Sequence, residues 1–278
     1  MKLYLLMTGL CILLLACSTD TLVETDEVST NSSTITETMT YMSDGYQISG
    51  FIVRPNTDEE NLPVLIYNRG GNRDFGAIDH RIVNQLRDWA EDGYVVLASQ
   101  YRGTSDSEGE DEFGGADVTD VLALEQVAEE LAYADSSRMF MLGYSRGGMM
   151  TYLAAKEGMN LTGAAVVGAP ANLVDGYGES DPAMRQVLED LIGDPEDHTD
   201  AYEARSAVHW PEDIDVPLLI LHGENDQRVD VDQARRLAYA LEGDYRLIVY
   251  EDGSHGLQEH HDEYVEEVRQ WFRQYGSD

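Results

Sequence analysis

The chain has 278 residues, with 18 Lys and Arg against 53 Asp and Glu, a formal net charge of −35 at neutral pH. Hydrophobic residues make up 42% of it, enough for a substantial core, so wholesale disorder is excluded. The charge also excludes nucleic acid as a partner, because a polyanion meeting a polyanion has no counterion release to drive binding.

Lys2 opens a run from Leu3 to Leu15 that is apolar except for Thr8 and Gly9. As a helix it would span about 20 Å, short of the roughly 30 Å of a bilayer core, which fits a secretory signal better than an anchor. Leu14-Leu15-Ala16-Cys17 resembles the lipobox of bacterial lipoproteins. The resemblance implies a signal peptide over residues 1–16, lipid on Cys17, and an exported protein held at a membrane. The one other cysteine is Cys11, so neither a disulfide framework nor a Cys-ligated zinc is expected. Residues 17–38 are mostly Ser, Thr, Asp, Glu and Asn, a composition that predicts a disordered acidic tether. Residues 39–278 are left as one domain. Lysine occurs at Lys2 and Lys156 alone, and this depletion beside the acid excess resembles proteins of salt-loving organisms. Molar salt screens such self-repulsion.

Within the domain, Tyr41 to Arg54 reads as a hairpin turning at Asp44-Gly45. Continuous apolar runs then mark strands buried on both faces: 63–67, 94–98, 139–142, 164–167, 216–221 and 245–250. Between them, Ile82, Leu86 and Trp89, then Val121, Leu124, Ala128 and Leu131, fall at helical spacing. Residues 149–156 and 234–241 are also helical, and Val265, Val268, Phe272 and Tyr275 mark a closing helix. Residues 171–212 break the rhythm and are expected to be a cap-like insertion over the site. Alternating strands and helices predict an α/β fold with a mostly parallel sheet covered on both faces. Ligands on such sheets sit beyond the carboxyl ends of the strands.

Gly143-Tyr144-Ser145-Arg146-Gly147 follows a strand and opens a helix, the context in which G-x-S-x-G marks a serine nucleophile. A base and an orienting acid must follow. Asp226 follows the next-to-last strand, three residues past Gly223, and His255 comes after the last strand, so the order Ser, Asp, His is the one the α/β-hydrolase fold requires. His260 and His261 read as solvated residues at a helix start, and Glu224 and Asp230 compete with Asp226 as the acid. The N–H of Arg146 is one expected oxyanion donor. Gly70 or Gly71, after the first buried strand, supplies the other. The Arg69 and Arg146 side chains are candidates for holding a substrate carboxylate, and Tyr144 for touching substrate. No metal or organic cofactor is expected.

Taken together, Tyr-Asn-Arg-Gly-Gly at 67–71, Tyr101-Arg102-Gly103, Gly-Tyr-Ser145-Arg-Gly-Gly, the run from Pro217 to Val229 around Asp226, and Gly-Ser-His255-Gly resemble the catalytic domain of the prolyl oligopeptidase family. The resemblance spans residues 41–275 and implies a serine-type peptidase working through an acyl-enzyme on short peptides or small esters. Two departures favour the alternative, a carboxylesterase of the same fold. Peptide-cleaving members usually carry an N-terminal β-propeller, for which there is no room here, and Arg69 stands where relatives have His or Tyr. A Cys nucleophile of the dienelactone-hydrolase kind is excluded, since both cysteines lie in the signal. The reading from another class, a non-catalytic surface-binding lipoprotein, requires a lost triad, and all three members are present.

Overall fold

The computed structural model describes residues 20–276; the signal and Cys17 lie outside them. Nine strands form one sheet in the order β1-β2-β3-β5-β4-β6-β7-β8-β9. From β4 (Leu62–Asn68) the pattern follows the apolar runs: β5 (Val95–Ser99), β6 (Ala134–Tyr144), β7 (Gly163–Val167), β8 (Leu218–Gly223) and β9 (Tyr245–Tyr250), all parallel. Burial on both faces explains why these strands read as continuous rather than alternating hydrophobics. Val64, Ile66, Leu97 and Met141 point into one core layer, and Leu65, Val96, Phe140 and Leu142 into the other. Helices α2 (Val118–Glu130), α3 (Arg146–Lys156) and α7 (Val231–Ala240) close the first layer, and α1 (His80–Glu91) and α8 (His261–Gly276) the second.

The expected hairpin is present as β2 (Thr34–Ser43) and β3 (Tyr46–Pro55), with Asp44 and Gly45 both at positive φ in the turn. It extends further toward the N-terminus than expected. The tether assigned to 17–38 is corrected from residue 20 onward: β1 (Leu22–Thr30) pairs antiparallel with β2. The composition hid this because threonine is β-branched and strand-prone although polar. Main-chain ladder bonds, not apolar burial, hold β1, whose side chains are mostly exposed. Glu130 fastens its start by accepting from the N–H groups of Thr21 and Leu22, and Arg87 donates to Ser29 near its end.

The 171–212 segment forms α4 (Leu173–Glu179), α5 (Pro182–Leu191), α6 (Thr199–Ala204) and two short 3-10 turns. It leaves the sheet between β7 and β8, so it stands above the carboxyl ends of the central strands.

Candidate active site

Ser145 sits in the turn between β6 and α3 at φ 51°, ψ −124°, a conformation that costs energy for any residue with a Cβ. The turn is held by a hydrogen bond from the Ser145 N–H to the Val167 carbonyl at 2.8 Å. Glycine at 143 and 147 is required by close approach. A Cβ on Gly147 would stand 2.0 Å from the Asn68 carbonyl oxygen, and one on Gly143 would stand 2.3 Å from that of Gly147. The strained turn lifts the hydroxyl off the sheet edge at the start of α3, where free N–H groups favour negative charge.

Three residues far apart in sequence meet there. His255 Nε2 lies 3.0 Å from Ser145 Oγ, and His255 Nδ1 lies 2.8 Å from Asp226 Oδ2. The other Asp226 oxygen accepts from the N–H groups of Arg228 at 2.8 Å and Val229 at 3.0 Å. Burial alone would raise the Asp226 pKa; hydrogen bonds from His222 and His255 outweigh it and hold the carboxyl well below the usual carboxylate range. Asp226 is thus an anion facing an imidazole whose far nitrogen reaches a serine hydroxyl.

His222 is a further member of the site, which the motifs alone do not single out. It is fully buried at the end of β8, with Nε2 donating to the Val229 carbonyl at 2.9 Å and lying 3.3 Å from Asp226 Oδ2. Its spacing, four residues before Asp226 at a strand end, was the available signal. The competing residues have other tasks. Glu224 pairs with Arg235, Asp230 caps α7, and His260 is held by Asp252 and Glu263.

On the other side of Ser145 the expectations divide. Arg146 does begin α3 directly after the serine, but its guanidinium is buried against Asp111 and Asp117. Arg69 is fully buried too, donating to the Gln100, Gly70 and Arg73 carbonyls and to Thr104 Oγ1. Neither side chain is free for a substrate carboxylate. Buried cations require partners, and the loop 100–117 supplies most of them here. Tyr144 is also corrected: its hydroxyl meets that of Tyr264 at 3.2 Å and its ring packs against Tyr67, away from the cavity.

The cavity beside Ser145 has a volume of about 230 Å³. Gly71, Ser145 and Arg146 form its floor, while Leu173, Met184 and Leu188 of the insertion and Val229 give it an apolar wall. Of the two candidate glycines, Gly71 borders the cavity, at φ +80°, and a Cβ there would stand 1.9 Å from the Phe75 carbonyl oxygen. Gly70 packs beneath, where an added Cβ would meet the Tyr144 carbonyl and Ser145 Cβ. Arg228 lines the opening, and among the described residues its guanidinium has no hydrogen-bond or ion-pair partner. No cluster of three His, Cys, Asp or Glu side chains able to hold a metal ion occurs among the described residues.

Comparison with known proteins agrees with this geometry. The family model described as "Prolyl oligopeptidase family" matches residues 82–277. The uncharacterized peptidase YtmA of Bacillus subtilis is 28% identical over 206 residues, covering 73% of this chain and 78% of that protein. The acylaminoacyl peptidase of Pyrococcus horikoshii superposes with a TM-score of 0.75 at 19% identity, covering 87% of this chain but 42% of that one. The acetyl xylan esterase of Paenibacillus sp. R4 also gives 0.75, at 18% identity, covering 91% and 88%. The two structures share the α/β-hydrolase fold; the chain spans less than half of the first and most of the second. A match of the family model over most of the domain, with a serine, histidine and aspartate in hydrogen-bonded sequence at its strand ends, means that the chain belongs to the prolyl oligopeptidase family.

Proposed function

We propose that the protein is a serine hydrolase that cleaves short peptides or small esters through a covalent acyl-enzyme. The observation that carries this is the unbroken path from Ser145 Oγ through both nitrogens of His255 to the Asp226 carboxylate. The anionic Asp226 keeps the proton on Nδ1, so Nε2 presents a lone pair to the serine hydroxyl. As Oγ attacks the carbonyl carbon, its proton passes to Nε2 and the carbonyl electron pair moves onto oxygen. The N–H groups of Arg146 and Gly71 receive that oxyanion. The imidazolium then protonates the departing amine or alcohol, and a water molecule repeats the sequence to release the acid.

The cavity supports a substrate with a small apolar group, since Leu173, Met184, Leu188 and Val229 exclude water without leaving much room. Arg228 at its rim gives a peptide carbonyl or carboxylate a donor, which supports the peptidase reading over the carboxylesterase one. Turnover of p-nitrophenyl acetate and of aminoacyl and prolyl anilides tests both. Ser145→Ala should abolish all of it and also abolish fluorophosphonate labelling. Cleavage of esters alone would replace the peptidase reading by the esterase. Absence of any labelling in the folded wild type would favour a binding lipoprotein instead.

We also propose that the protein is exported and anchored by lipid on Cys17, a reading supported by the apolar run and the four residues that end it. Incorporation of labelled palmitate by the wild type, lost in Cys17→Ser, is the expected result.

A further inference from the structure

Arg69 is a buried cation with an unusual set of partners. Its Nε and one terminal nitrogen donate to the Gln100 carbonyl at 2.9 and 2.7 Å, and that terminal nitrogen also reaches Thr104 Oγ1 at 2.7 Å and the Arg73 carbonyl at 3.1 Å. The other terminal nitrogen donates to the Gly70 carbonyl at 3.1 Å. Its Cζ lies 4.9 Å from the centre of the Tyr101 ring. Every acceptor is neutral, and among the described residues no carboxylate lies within the 4.0 Å of an ion pair. Arg146, whose guanidinium lies 5.4 Å from the centre of the same Tyr101 ring, has two carboxylates. Of the buried guanidiniums among the described residues, those of Arg102 and Arg146 pair with carboxylates, whereas that of Arg69, like that of Arg205, bonds to neutral acceptors. Burial pushes its pKa down to about 10, so it still carries its charge at neutral pH.

The place where that charge is directed matters. The Gly70 carbonyl and the Gly71 N–H are the two ends of one planar peptide unit, which shares electrons across its C–N bond. A charged donor at the oxygen draws density from the nitrogen and makes the N–H a stronger donor at the other end. Gly71 lines the cavity together with Ser145, and a cation is hydrogen-bonded to the other end of its peptide unit. No carboxylate is in contact with the cation, although Asp111 and Asp74 act on it from further off, so its field also reaches the place where negative charge develops.

We propose that Arg69 is a positioning residue for the reaction, polarising the Gly70–Gly71 peptide so that the Gly71 N–H stabilises the oxyanion. This deepens the serine-hydrolase reading and rests on it. Arg69 itself touches no substrate.

The test is made on the full chain, with kinetics on p-nitrophenyl acetate and a small trifluoromethyl ketone, whose adduct with Ser145 carries an ionisable hemiketal oxygen. Arg69→Gln keeps a donor but removes the charge. It should lower kcat about 10- to 100-fold with KM within about twofold, and raise the hemiketal pKa by about one to two units, one unit corresponding to a tenfold change. Arg69→Lys keeps the charge without the fork and should fall between Arg69→Gln and wild type in both readouts. A folded Arg69→Gln with wild-type kcat and hemiketal pKa overturns the proposal. So does a loss confined to thermal stability or KM. Where Arg69→Gln does not fold, Arg69→Lys decides alone: an unchanged hemiketal pKa refutes the idea, and a raised one supports it. Failure of the parent reading looks different, because the wild type would then form no ketone adduct, or Ser145→Ala would remain active.

Discussion

The two flanks of Ser145 are built from different chemistry. On the β8–β9 side stand His222, Asp226 and His255, an aspartate between two imidazoles, with a serine hydroxyl at the end of the row. On the β4–β5 side stand Arg69, Arg102 and Arg146 with Asp111, Asp117 and Asp120, all buried, and Tyr101 between two guanidiniums. One flank has to pass a proton back and forth, which needs a group that titrates near neutrality. The other has to hold backbone N–H groups still while charge appears, which suits a group that never loses its proton. The difference between imidazole and guanidinium follows the difference between moving charge and fixed charge.

The most severe break on the moving-charge flank is Asp226→Asn. The amide cannot accept from Nδ1–H as a carboxylate does and favours the wrong tautomer of His255. The expected loss in kcat is about 10⁴-fold, measured by ester turnover with unchanged circular dichroism. A smaller loss than for a surface control would mean that Asp226 does not orient the base.

On the fixed-charge flank, the cluster of Arg146 with Asp111 and Asp117 should break by unfolding rather than by chemistry. Asp117→Ala removes one of the two carboxylates on Arg146 and the acceptor for the Gly114 N–H. Stripping one partner from a buried pair costs about 3–5 kcal/mol, read as a shift in urea midpoint. Arg235→Ala, at an exposed pair with Asp232 and Glu224, should give no resolvable shift. Equal midpoints for the two variants would sink the distinction.

How much of this was legible in the sequence follows the same division. The moving-charge flank was readable because its constraints are local: glycines two residues either side of Ser145, an acid and a histidine just past successive strands. The fixed-charge flank was not. Arg69 and Arg146 read as available to substrate, because nothing in their own neighbourhood names the loop residues that bury them, 29 to 35 positions away. With acids so abundant, spacing cannot say which of them the fold will bring to a given arginine. The β1–β2 ribbon escaped for another reason: hydrogen bonds between main chains leave no mark on composition. The central strands did leave one, since burial on both faces demands unbroken hydrophobic runs.

Between the flanks lies the cavity, and filling it should sharpen the assignment of roles. Met184→Trp narrows the apolar wall contributed by α5 without touching either flank. Turnover of butyryl relative to acetyl esters should fall about tenfold, the size of effect that one or two methylenes carry in a pocket, while acetyl turnover stays near wild type. Loss on both substrates alike would show that α5 supports the reacting groups and not the acyl chain.

The acid excess predicts a further, smaller effect that bears on both flanks equally. Repulsion among exposed carboxylates falls as the Debye length shrinks to about 3 Å in molar salt. The thermal midpoint should therefore rise by several degrees between dilute buffer and about 2 M KCl, with the buried arginine clusters little altered. A flat midpoint would remove the halophilic reading.

The least dramatic expectation is that the fixed-charge flank ignores pH until its phenols ionise. Burial raises the pKa of Tyr101 above the ordinary value of 10, with Arg69 and Arg146 pulling the other way, and raises those of Tyr41, Tyr144 and Tyr152 as well. A pKa raised by folding gives a contribution that is complete below the unfolded value near 10 and is lost as pH climbs toward the folded one. Arg69 has the opposite sign: its pKa falls on folding, so the cost of burying its charge fades above pH about 10. Four phenols against one guanidinium leave a net loss of stability on that side of the scale. The tyrosinate absorbance of these four buried phenols should thus appear together with unfolding, not before it. Ionisation of buried phenols near pH 10 in a protein that is still folded would mean that water already reaches the layer beneath the Gly70–Gly71 loop, and the fixed charge there could not act as strongly as its burial implies.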